Sequence, residues 1–257
     1  MESATPRCAE LHSPPHWRVV DFISDLHLQA SEPETFEAWA QYMAHTPADA
    51  VLILGDLFEV WVGDDAALEP TSFEARCAAV LCSTAQTKAV YFMHGNRDFL
   101  VGPDFLQACQ VTGLDDPTAL NFAGQRWLLS HGDALCLDDV DYLQFRAQVR
   151  SPQWQQHFLA QPLEQRRAIA RNIRTQSESR KHAGTVYADV DSTAACQWLQ
   201  AAQATTLIHG HTHRPAEHDL GNGLQRTVLS DWDLAATPPR AEVLRLTDGG
   251  LQRIPLV

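Results

Sequence analysis

Three stretches of the sequence repeat one pattern, in which a short apolar run ends in polar residues and a helical segment follows. The runs are RVVDFISDLHL, DAVLILGDLFE and KAVYFMHGNRD, which begin at residues 18, 49 and 88. Continuous apolar and β-branched runs are typical of strands buried on both faces, and the segments between the runs have the spacing of amphipathic helices. The repeat predicts an α/β layered fold with a functional site at the carboxyl ends of its strands.

Size and composition favour a single large folded domain. The chain has 257 residues, of which 45% are hydrophobic and 20% charged, as in ordinary globular proteins. The N-terminal segment lacks the apolar core of a signal peptide, and no run approaches the roughly 18 apolar residues of a membrane span. The six cysteines include no CxxC pair, which disfavours a thiolate zinc site and suits reduced thiols. We therefore expect a cytoplasmic protein.

Charge is distributed unevenly along the chain. The net charge of −13 argues against nucleic acid as a partner, because nucleic-acid binding normally needs a basic face. Between Arg146 and Lys181, however, eight basic residues stand against two acidic ones. This segment is expected to meet something anionic, such as a phosphorylated substrate or an anionic membrane surface. The alternative is a solvated helix face that happens to use arginine.

The series of strands is interrupted once. Residues 138–184 lack strand character and are predicted to form two or more helices, which we interpret as an inserted helical cap within a domain of residues 17–257. Residues 1–16 have no periodicity and contain two adjacent prolines, so they are predicted to be a flexible N-terminal extension.

Five predicted strand ends carry side chains that can bind metal ions. Each of them alone could be a turn or a helix cap, since Asp and Asn favour both. Glycines in GD, GN, HGD and HGH let the backbone turn sharply at these points. Two aspartates, one asparagine and four histidines together suit a shared pair of divalent ions, and His209 is then left over for a structural or supporting role. The candidate ligands are Asp25, His27, Asp56, Asn96, His131, His211 and His213.

The ordered motifs DLH, GDLFE, GNRD, HGD and GHTH resemble the signature of the calcineurin-like metallophosphoesterases. The resemblance implies a four-layer α-β-β-α metallophosphoesterase sandwich with two divalent metal ions, and the mixed oxygen and imidazole ligands favour Mn²⁺. It also implies that Asp56, Asn96, Arg97 and His131 are catalytic. In the implied ligand sets, Asp25, His27 and His213 hold the first ion, Asn96, His131 and His211 hold the second, and Asp56 bridges them.

Longer strings, among them LGDLFEVWVGDD and LIHGHTHRPA, resemble one family of that superfamily, the UDP-2,3-diacylglucosamine diphosphatases of lipid A synthesis. This resemblance implies a UDP-diacylglucosamine lipid substrate, hydrolysis to UMP and a lipid monophosphate, and peripheral association with the cytoplasmic face of the inner membrane. The segment SESRKHAG is one residue shorter than the family pattern, so Lys181 could serve either of two roles and Gly184 serves neither. The implied substrate contacts are Asn96, Arg97, Asp139, Ser177, Lys181 and His211.

Several alternatives remain open from the sequence. A nucleotide phosphodiesterase or a dinucleoside-polyphosphate hydrolase would share the metal site but leave the apolar and basic cap unexplained. A non-catalytic scaffold of the same fold would be expected to show broken ligands, and none is broken. Arg97 could bind phosphate or form a surface salt bridge. The apolar cap residues could wall a chamber for acyl chains or pack onto the core; they are Tyr142, Phe145, Trp154, Phe158, Leu159 and Leu163.

Overall fold

The computed structural model describes residues 7–182 and 188–257, with the backbone alone over residues 174–182. It contains two mixed sheets of six strands each. The first sheet has the order β12-β11-β2-β3-β4-β5, with β2 (Val20–Ile23), β3 (Ala50–Leu54), β4 (Ala89–Met93), β5 (Thr112–Leu114), β11 (Glu242–Thr247) and β12 (Gly250–Pro255). The second has the order β1-β6-β7-β8-β10-β9, with β1 (Ala9–His12), β6 (Thr118–Phe122), β7 (Gln125–Ser130), β8 (Thr206–His209), β9 (Ala216–Gly221) and β10 (Leu224–Val228).

The two sheets pack face to face, and helices cover their outer faces. Phe22, Leu52 and Ile208 belong to the apolar cluster between the sheets, whereas Ile53 packs outward among residues of the first helices. Strand β3 is buried on both faces, as its continuous apolar run predicted. This arrangement confirms the α/β class and the four-layer α-β-β-α sandwich. The helices of the outer layers are α1 (Pro33–His45), α2 (Phe73–Ala85) and α3 (Pro103–Ala108) on the first sheet and α7 (Ser192–Ala202) on the second.

Two of these helices begin at side chains that the sequence places there. The hydroxyl of Ser72 accepts the backbone N–H of Ala75 at the start of α2. The carboxylate of Asp191 accepts the N–H of Ala194 at the start of α7. Such caps satisfy backbone donors that have no partner within the helix. They therefore fix where α2 and α7 begin.

Parallel pairing brings the carboxyl ends of the strands together. In the first sheet, β2 pairs with β3 and β3 with β4, all in parallel. In the second sheet, β7 and β8 are parallel neighbours, with Ser130 opposite His209. Parallel neighbours end at the same edge of a sheet, so the polar loops after these five strands can share one site. The loops carry all seven candidate ligands.

The N-terminal segment differs from its prediction. Instead of lying in a flexible extension over residues 1–16, Ala9–His12 form β1, the edge strand of the second sheet, which pairs in parallel with β6. Arg126 of β7 donates to Glu10 over 2.9 Å and ties β1 to the strand beyond its neighbour β6. Ala9–His12 do alternate apolar and polar residues, but this signal is only four residues long and the pairing partner is far away in sequence, so the prediction missed the strand. Residues 1–6 lie outside the described part.

The predicted helical cap contains three helices, which are α4 (Val140–Val149), α5 (Pro152–Leu159) and α6 (Leu163–His182). Gly184 and the side chains of Ser177 and Lys181 lie outside the described residues. No helix in the described residues is long and apolar enough to cross a membrane.

Candidate metal centre

The backbone at the strand ends is unusual at the candidate ligands themselves. Left-handed φ angles are uncommon for residues other than glycine and concentrate at functional sites, where the surrounding structure holds them. Nine such residues occur in the described part of the chain, and five of them are candidate ligands. These five are Asp25 (φ 55°), His27 (φ 49°), Asp56 (φ 54°), His211 (φ 68°) and His213 (φ 53°).

Glycines allow the ligand loops to approach one another. A Cβ atom on Gly95 would lie 2.0 Å from Oδ1 of Asp56, and one on Gly210 would lie 2.2 Å from Oδ2 of Asp25. Any side chain at either position would displace a buried carboxylate. The GN and HGH motifs are therefore required by the close contact of backbone with ligand carboxylates.

The first group of candidate ligands comprises Asp25, His27 and His213, whose donor atoms lie within 4.8 Å of one another. Nε2 of His27 is 3.1 Å from Nε2 of His213, and the latter atom is 3.3 Å from Oδ1 of Asp25. The Asp25 carboxylate is fully buried and also accepts the backbone N–H of His211 over 2.9 Å. The structure thus assembles the set that the resemblance implied for one ion.

The second group lies around His131. Its Nδ1 donates to the carbonyl of Leu54 over 2.9 Å, which leaves a lone pair on Nε2. That Nε2 is 3.0 Å from Oδ1 of Asn96, which in turn is 2.8 Å from Nδ1 of His211. Oδ2 of Asp56 lies 3.8 Å from His131 Nε2. When its Nδ1 holds the only proton, His131 directs Nε2 and Asn96 directs Oδ1 to the same point, so the geometry fits a metal ion.

The two groups share residues. Asp25, Asp56 and His131 have donor atoms within 4.8 Å of one another, so Asp25 belongs to both groups. The bridging role that the resemblance gives to Asp56 stays a prediction, and the structure places Asp56 in the second group, next to Asp25. All seven candidate ligands lie in one continuous cluster.

Electrostatics favour positive charge in this cluster. Burial opposes the protonation of His131, yet the charges of Asp56 and Asp25 raise its pKa to about 9. Burial and the neighbouring His131 lower the pKa of His211 to about 3, so that the His211 ring is neutral and can offer a lone pair. Buried carboxylates and neutral imidazoles without a thiolate suit a pair of hard or borderline divalent ions.

A buried carboxylate that the sequence did not single out holds two of the ligand loops together. Asp98 accepts the backbone N–H of Leu57 and that of Gly95, each over 2.8 Å. These bonds join the loop that carries Asp56 to the loop that carries Asn96. Asp98 stands in the GNRD motif, but its role depends on a loop far away in sequence and could not be inferred locally.

Arg97 lies beside the first group in an ion pair. Its Nη1 is 3.4 Å from Oε1 of Glu59, and Oε2 of the same carboxylate is 3.0 Å from Nδ1 of His27. The backbone N–H of Arg97 donates to Oδ1 of Asp56 over 2.8 Å. Arg97 thus forms an ion pair with the buried Glu59 and not at the surface, and this partner also contacts a candidate metal ligand. The guanidinium is therefore held at the edge of the cluster, where an anionic group could bind.

Two other predicted residues have local roles. The carboxylate of Asp139 accepts the backbone N–H of Tyr142 and begins α4, and its proposed substrate contact stays a prediction. His209 is fully buried and its Nδ1 donates to the carbonyl of Gly210 over 2.8 Å, while burial lowers its pKa to about 4. His209 lies in neither ligand group, in line with a structural or supporting role.

The apolar residues of the helical cap divide into two kinds. Phe158 is buried in the core cluster of the first sheet and stacks on Trp154, with ring centroids 4.9 Å apart. Phe145 and Leu159 remain exposed by 38% and 41% of their surface. Phe158 thus packs onto the core, as one alternative proposed, and other cap residues remain available to a ligand.

Three side chains of the cap, for which the sequence predicted no role at the metal centre, also reach the cluster. Tyr142, Arg146 and Arg150 from α4 and its C-terminal end surround the buried carboxylate of Asp133 in the HGD motif. They approach the candidate ligands from the helical cap. Only the spacing of Tyr142, Arg146 and Arg150 at every fourth residue could have indicated that they share one helix face.

Comparison with known proteins agrees with these features. Residues 19–215 match the family model described as calcineurin-like phosphoesterase, a span that includes all seven candidate ligands. A UDP-2,3-diacylglucosamine hydrolase of Chromobacterium violaceum is 46% identical over 246 residues, which cover 92% of this chain and 98% of that protein. The protein of the same name from Ralstonia nicotianae is 43% identical over 250 residues, covering 92% of each.

Solved structures of similar fold are more distant. Vacuolar Protein Sorting 29 from Cryptosporidium parvum aligns over 93% of this chain and 96% of its own, with a TM-score of 0.46 and 14% sequence identity.

Proposed function

The chain belongs to the calcineurin-like phosphoesterase family, and from this membership we propose that it hydrolyses the diphosphate of UDP-2,3-diacylglucosamine to UMP and 2,3-diacylglucosamine 1-phosphate in lipid A synthesis. One observation carries the choice of substrate. Relatives named UDP-2,3-diacylglucosamine hydrolase match 92% of the chain at 43% and 46% identity. These matches cover nearly the whole chain. They therefore include helices of the cap as well as the metal centre.

The described side chains fit two divalent ions, and we take these to be Mn²⁺ because the donors are carboxylate, amide and imidazole groups without a thiolate. When bound, the ions supply Lewis acidity toward a phosphoryl oxygen and toward the attacking water. Asp25, His27 and His213 would hold one ion. Asn96, His131 and His211 would hold the other, with Asp56 between the two.

The protein's own groups orient the substrate around this centre. Arg97 offers a planar guanidinium to a phosphate oxygen, and its contact with Glu59 restricts where the guanidinium can lie. The carbonyl of Leu54 holds a proton on Nδ1 of His131, so that Nε2 would be the atom that binds the ion. Asn96, Asp139, Ser177, Lys181 and His211 complete the proposed substrate contacts.

The test is turnover of UDP-2,3-diacylglucosamine in ¹⁸O-labelled water, with and without added Mn²⁺. We expect metal-dependent release of UMP that carries the label, since the cap holds the lipid part and leaves the uridine-linked phosphorus over the metal centre. Asp56→Ala should abolish this turnover. Hydrolysis of bis-p-nitrophenyl phosphate without hydrolysis of the lipid would assign the chain to another activity of the family, and label in the lipid phosphate would reverse the proposed orientation.

The role of Lys181 can be tested with an unusually clean control, because Lys88 is the only other lysine in the chain. Lys181→Met should raise the KM for the lipid substrate and spare a small chromogenic diester that does not reach the cap. Lys88→Met should change neither, since the Lys88 amine lies 3.4 Å from the carbonyl of Ala48, outside the ligand cluster. An unchanged KM for the lipid in Lys181→Met would remove Lys181 from the substrate site.

We further propose that the protein works in the cytoplasm on the cytoplasmic face of the inner membrane, where a substrate with two acyl chains resides. The excess of basic residues from Arg167 to Lys181 and the exposed Phe145 and Leu159 support contact with an anionic bilayer. Co-sedimentation with vesicles should therefore be stronger for anionic than for zwitterionic lipid and should weaken with salt. Equal binding to both lipids would argue against this proposal.

A further inference from the structure

Helix α4 and its C-terminal residue Arg150 contact the loops that carry the candidate ligands of the second ion. The centre of this contact is Asp133, which follows His131 by two residues and has no exposed surface. Oδ2 of Asp133 accepts the hydroxyl of Tyr142 over 2.6 Å and Nε of Arg146 over 2.7 Å. Charge-assisted bonds to a carboxylate in such a buried position are strong and directional. They fix the loop of His131 against α4.

Arg150 joins that loop to the next one. Its Nη2 donates to the carbonyl of Gly95 over 2.8 Å and lies 3.5 Å from Oδ2 of Asp133. Gly95 directly precedes Asn96. One guanidinium nitrogen therefore connects the backbone next to Asn96 with the loop that carries His131.

Tyr142 reaches a third ligand with its ring. The ring stacks on the imidazole of His211, with centroids 5.8 Å apart and planes 30° apart. Nδ1 of His211 lies 2.8 Å from Oδ1 of Asn96, so this ring also limits how the His211–Asn96 pair can move. A single side chain thus touches His211 through its ring and Asp133 through its hydroxyl.

We propose that α4 is a positioning element of the metal centre, in which Tyr142, Arg146 and Arg150 act through Asp133 and Gly95 to orient Asn96, His131 and His211. The proposal rests on the metal-dependent function proposed above. It extends the metal site beyond the five sequence motifs, because α4 belongs to the helical cap. The first helix of the cap then helps to build the metal centre besides adjoining the substrate.

The contacts are selective for one side of the cluster. Within residues 7–182 and 188–257, we find no hydrogen bond from α4 or Arg150 to Asp25, His27 or His213. The first group is held instead by Glu59, 3.0 Å from His27, and by Asp231, 3.7 Å from His213. Loss of the α4 contacts should therefore weaken the binding of one ion and not of the other.

The experiment is a calorimetric titration of the metal-free full-length protein with Mn²⁺, without substrate. Tyr142→Phe removes the hydroxyl and keeps the stacked ring, and Arg146→Met and Arg150→Met remove the two guanidinium groups. We expect the tighter Mn²⁺ to bind as in the parent and the other to bind about 10–100-fold more weakly in the arginine variants, the range found when partners of metal ligands are removed. Tyr142→Phe should give the smallest change, and Tyr142→Leu a larger one.

Arg76→Met is the matched control, since it removes an arginine of α2 whose carboxylate partner is Glu37, far from the site in the fold. Thermal unfolding in EDTA shows whether a variant binds the metal weakly or has lost its fold. If an arginine variant does not fold, the conservative Tyr142→Phe variant tests the proposal in its place. Parent affinities for both ions in the Tyr142 and arginine variants would overturn the proposal, as would equal weakening of both ions. A protein that binds two ions but does not hydrolyse the lipid would contradict only the proposed substrate.

Discussion

Ion pairs attach the helical cap to the core at two places. At one of them the buried partner is a carboxylate of the core, and at the other it is an arginine of the cap. At the α4 end, the core supplies a carboxylate with no exposed surface, Asp133, and the cap supplies Arg146 and Arg150, each with a side chain exposed by 22%. At the α6 end, the cap supplies the buried group, Arg166, which is exposed by 4%, and the core supplies Asp65, which is exposed by 47%.

The ion pairs at the α4 end touch residues of the candidate metal centre, whereas the ion pair at the α6 end only holds the fold together. Asp133 lies two residues from His131, and its partners also touch Gly95 and His211. Arg166 donates to the carbonyls of Val62 and Gln161 as well as to Asp65, and none of these is a candidate ligand. We therefore expect damage at the α4 end to change metal binding and damage at the α6 end to change stability alone.

Asp133→Asn should have the largest effect. Arg146 and Arg150 would lose the anion that compensates them in a buried position, and breaking such a pair destabilises by about 3–5 kcal/mol. Urea unfolding should show this loss, and Mn²⁺ titration should show one weakened site. Glu164→Gln removes an exposed carboxylate paired with Arg167 and should change stability by less than about 0.5 kcal/mol. A fully stable Asp133→Asn protein would remove the distinction between the two attachments.

Phe158→Ala tests the apolar part of the second attachment. The ring is buried with the core of the first sheet, and truncating a buried phenylalanine destabilises by about 3 kcal/mol or more. Both Mn²⁺ sites should keep their affinity in the protein that remains folded. Phe145→Ala, at an exposed position of α4, is the control and should change the free energy of unfolding little. Loss of a metal site in Phe158→Ala would show that the two ends are not independent.

Arg166→Met should have a smaller effect. Methionine can fill much of the same volume, but the carbonyls of Val62 and Gln161 lose their donor, which costs about 2 kcal/mol when a buried acceptor is left unpaired. Asp65 is exposed enough to be solvated. Thermal unfolding should report the loss, and unchanged binding of both ions should accompany it. A weakened second ion in this variant would contradict the proposed contrast.

The smallest loss of stability is expected for a substitution at Asp189, where the chain returns from the cap to the core. There Asp189 accepts both terminal nitrogens of Arg226, over 2.7 and 3.1 Å, and this bond lowers the pKa of Asp189 to about 2. A lowered pKa means that the pair stabilises the fold fully above the ordinary value of 3.8 and that this contribution is lost as pH falls through about 2.

Asp189→Asn should therefore lose about 1 kcal/mol at pH 6, a value reduced for the exposure of Asp189. The difference from the parent should narrow as the pH is lowered from 5 to 3. Urea unfolding across this range measures it, and Mn²⁺ affinity at pH 7 should stay at the parent value. A difference that grows as the pH falls would reverse the assigned direction of the pKa shift.

The sequence was sufficient for the family and the layered fold, and it named the seven side chains that the structure brings into one cluster. Their role as metal ligands stays a prediction. Apolar runs with polar ends predict buried strands. The parallel pairing of β3 with β4 brings Asp56 and Asn96 together, and the packing of the two sheets brings His131 to them. The short elements α3 and β5, with six and three residues, left too weak a pattern to be predicted.

Polar partners were harder to predict than ligands. Glu59, Asp98 and Asp133 all stand inside or beside the recognised motifs, yet their roles depend on groups from other loops or from the cap. Nothing in the sequence around Asp133 indicates that Arg150 reaches it. Such contacts follow from the tertiary arrangement alone.

The parallel pairing of β7 with β8 has a consequence for protein engineering. The chain leaves the second sheet at Ser130 and re-enters it so that His209 lies opposite that same residue. The excursion in between can thus be treated as a cassette, exchanged between members of the family without altering the order of the strands. The junction for such a graft can lie after Asp133, because the HGD motif of the recipient supplies the carboxylate that receives Arg146 and Arg150.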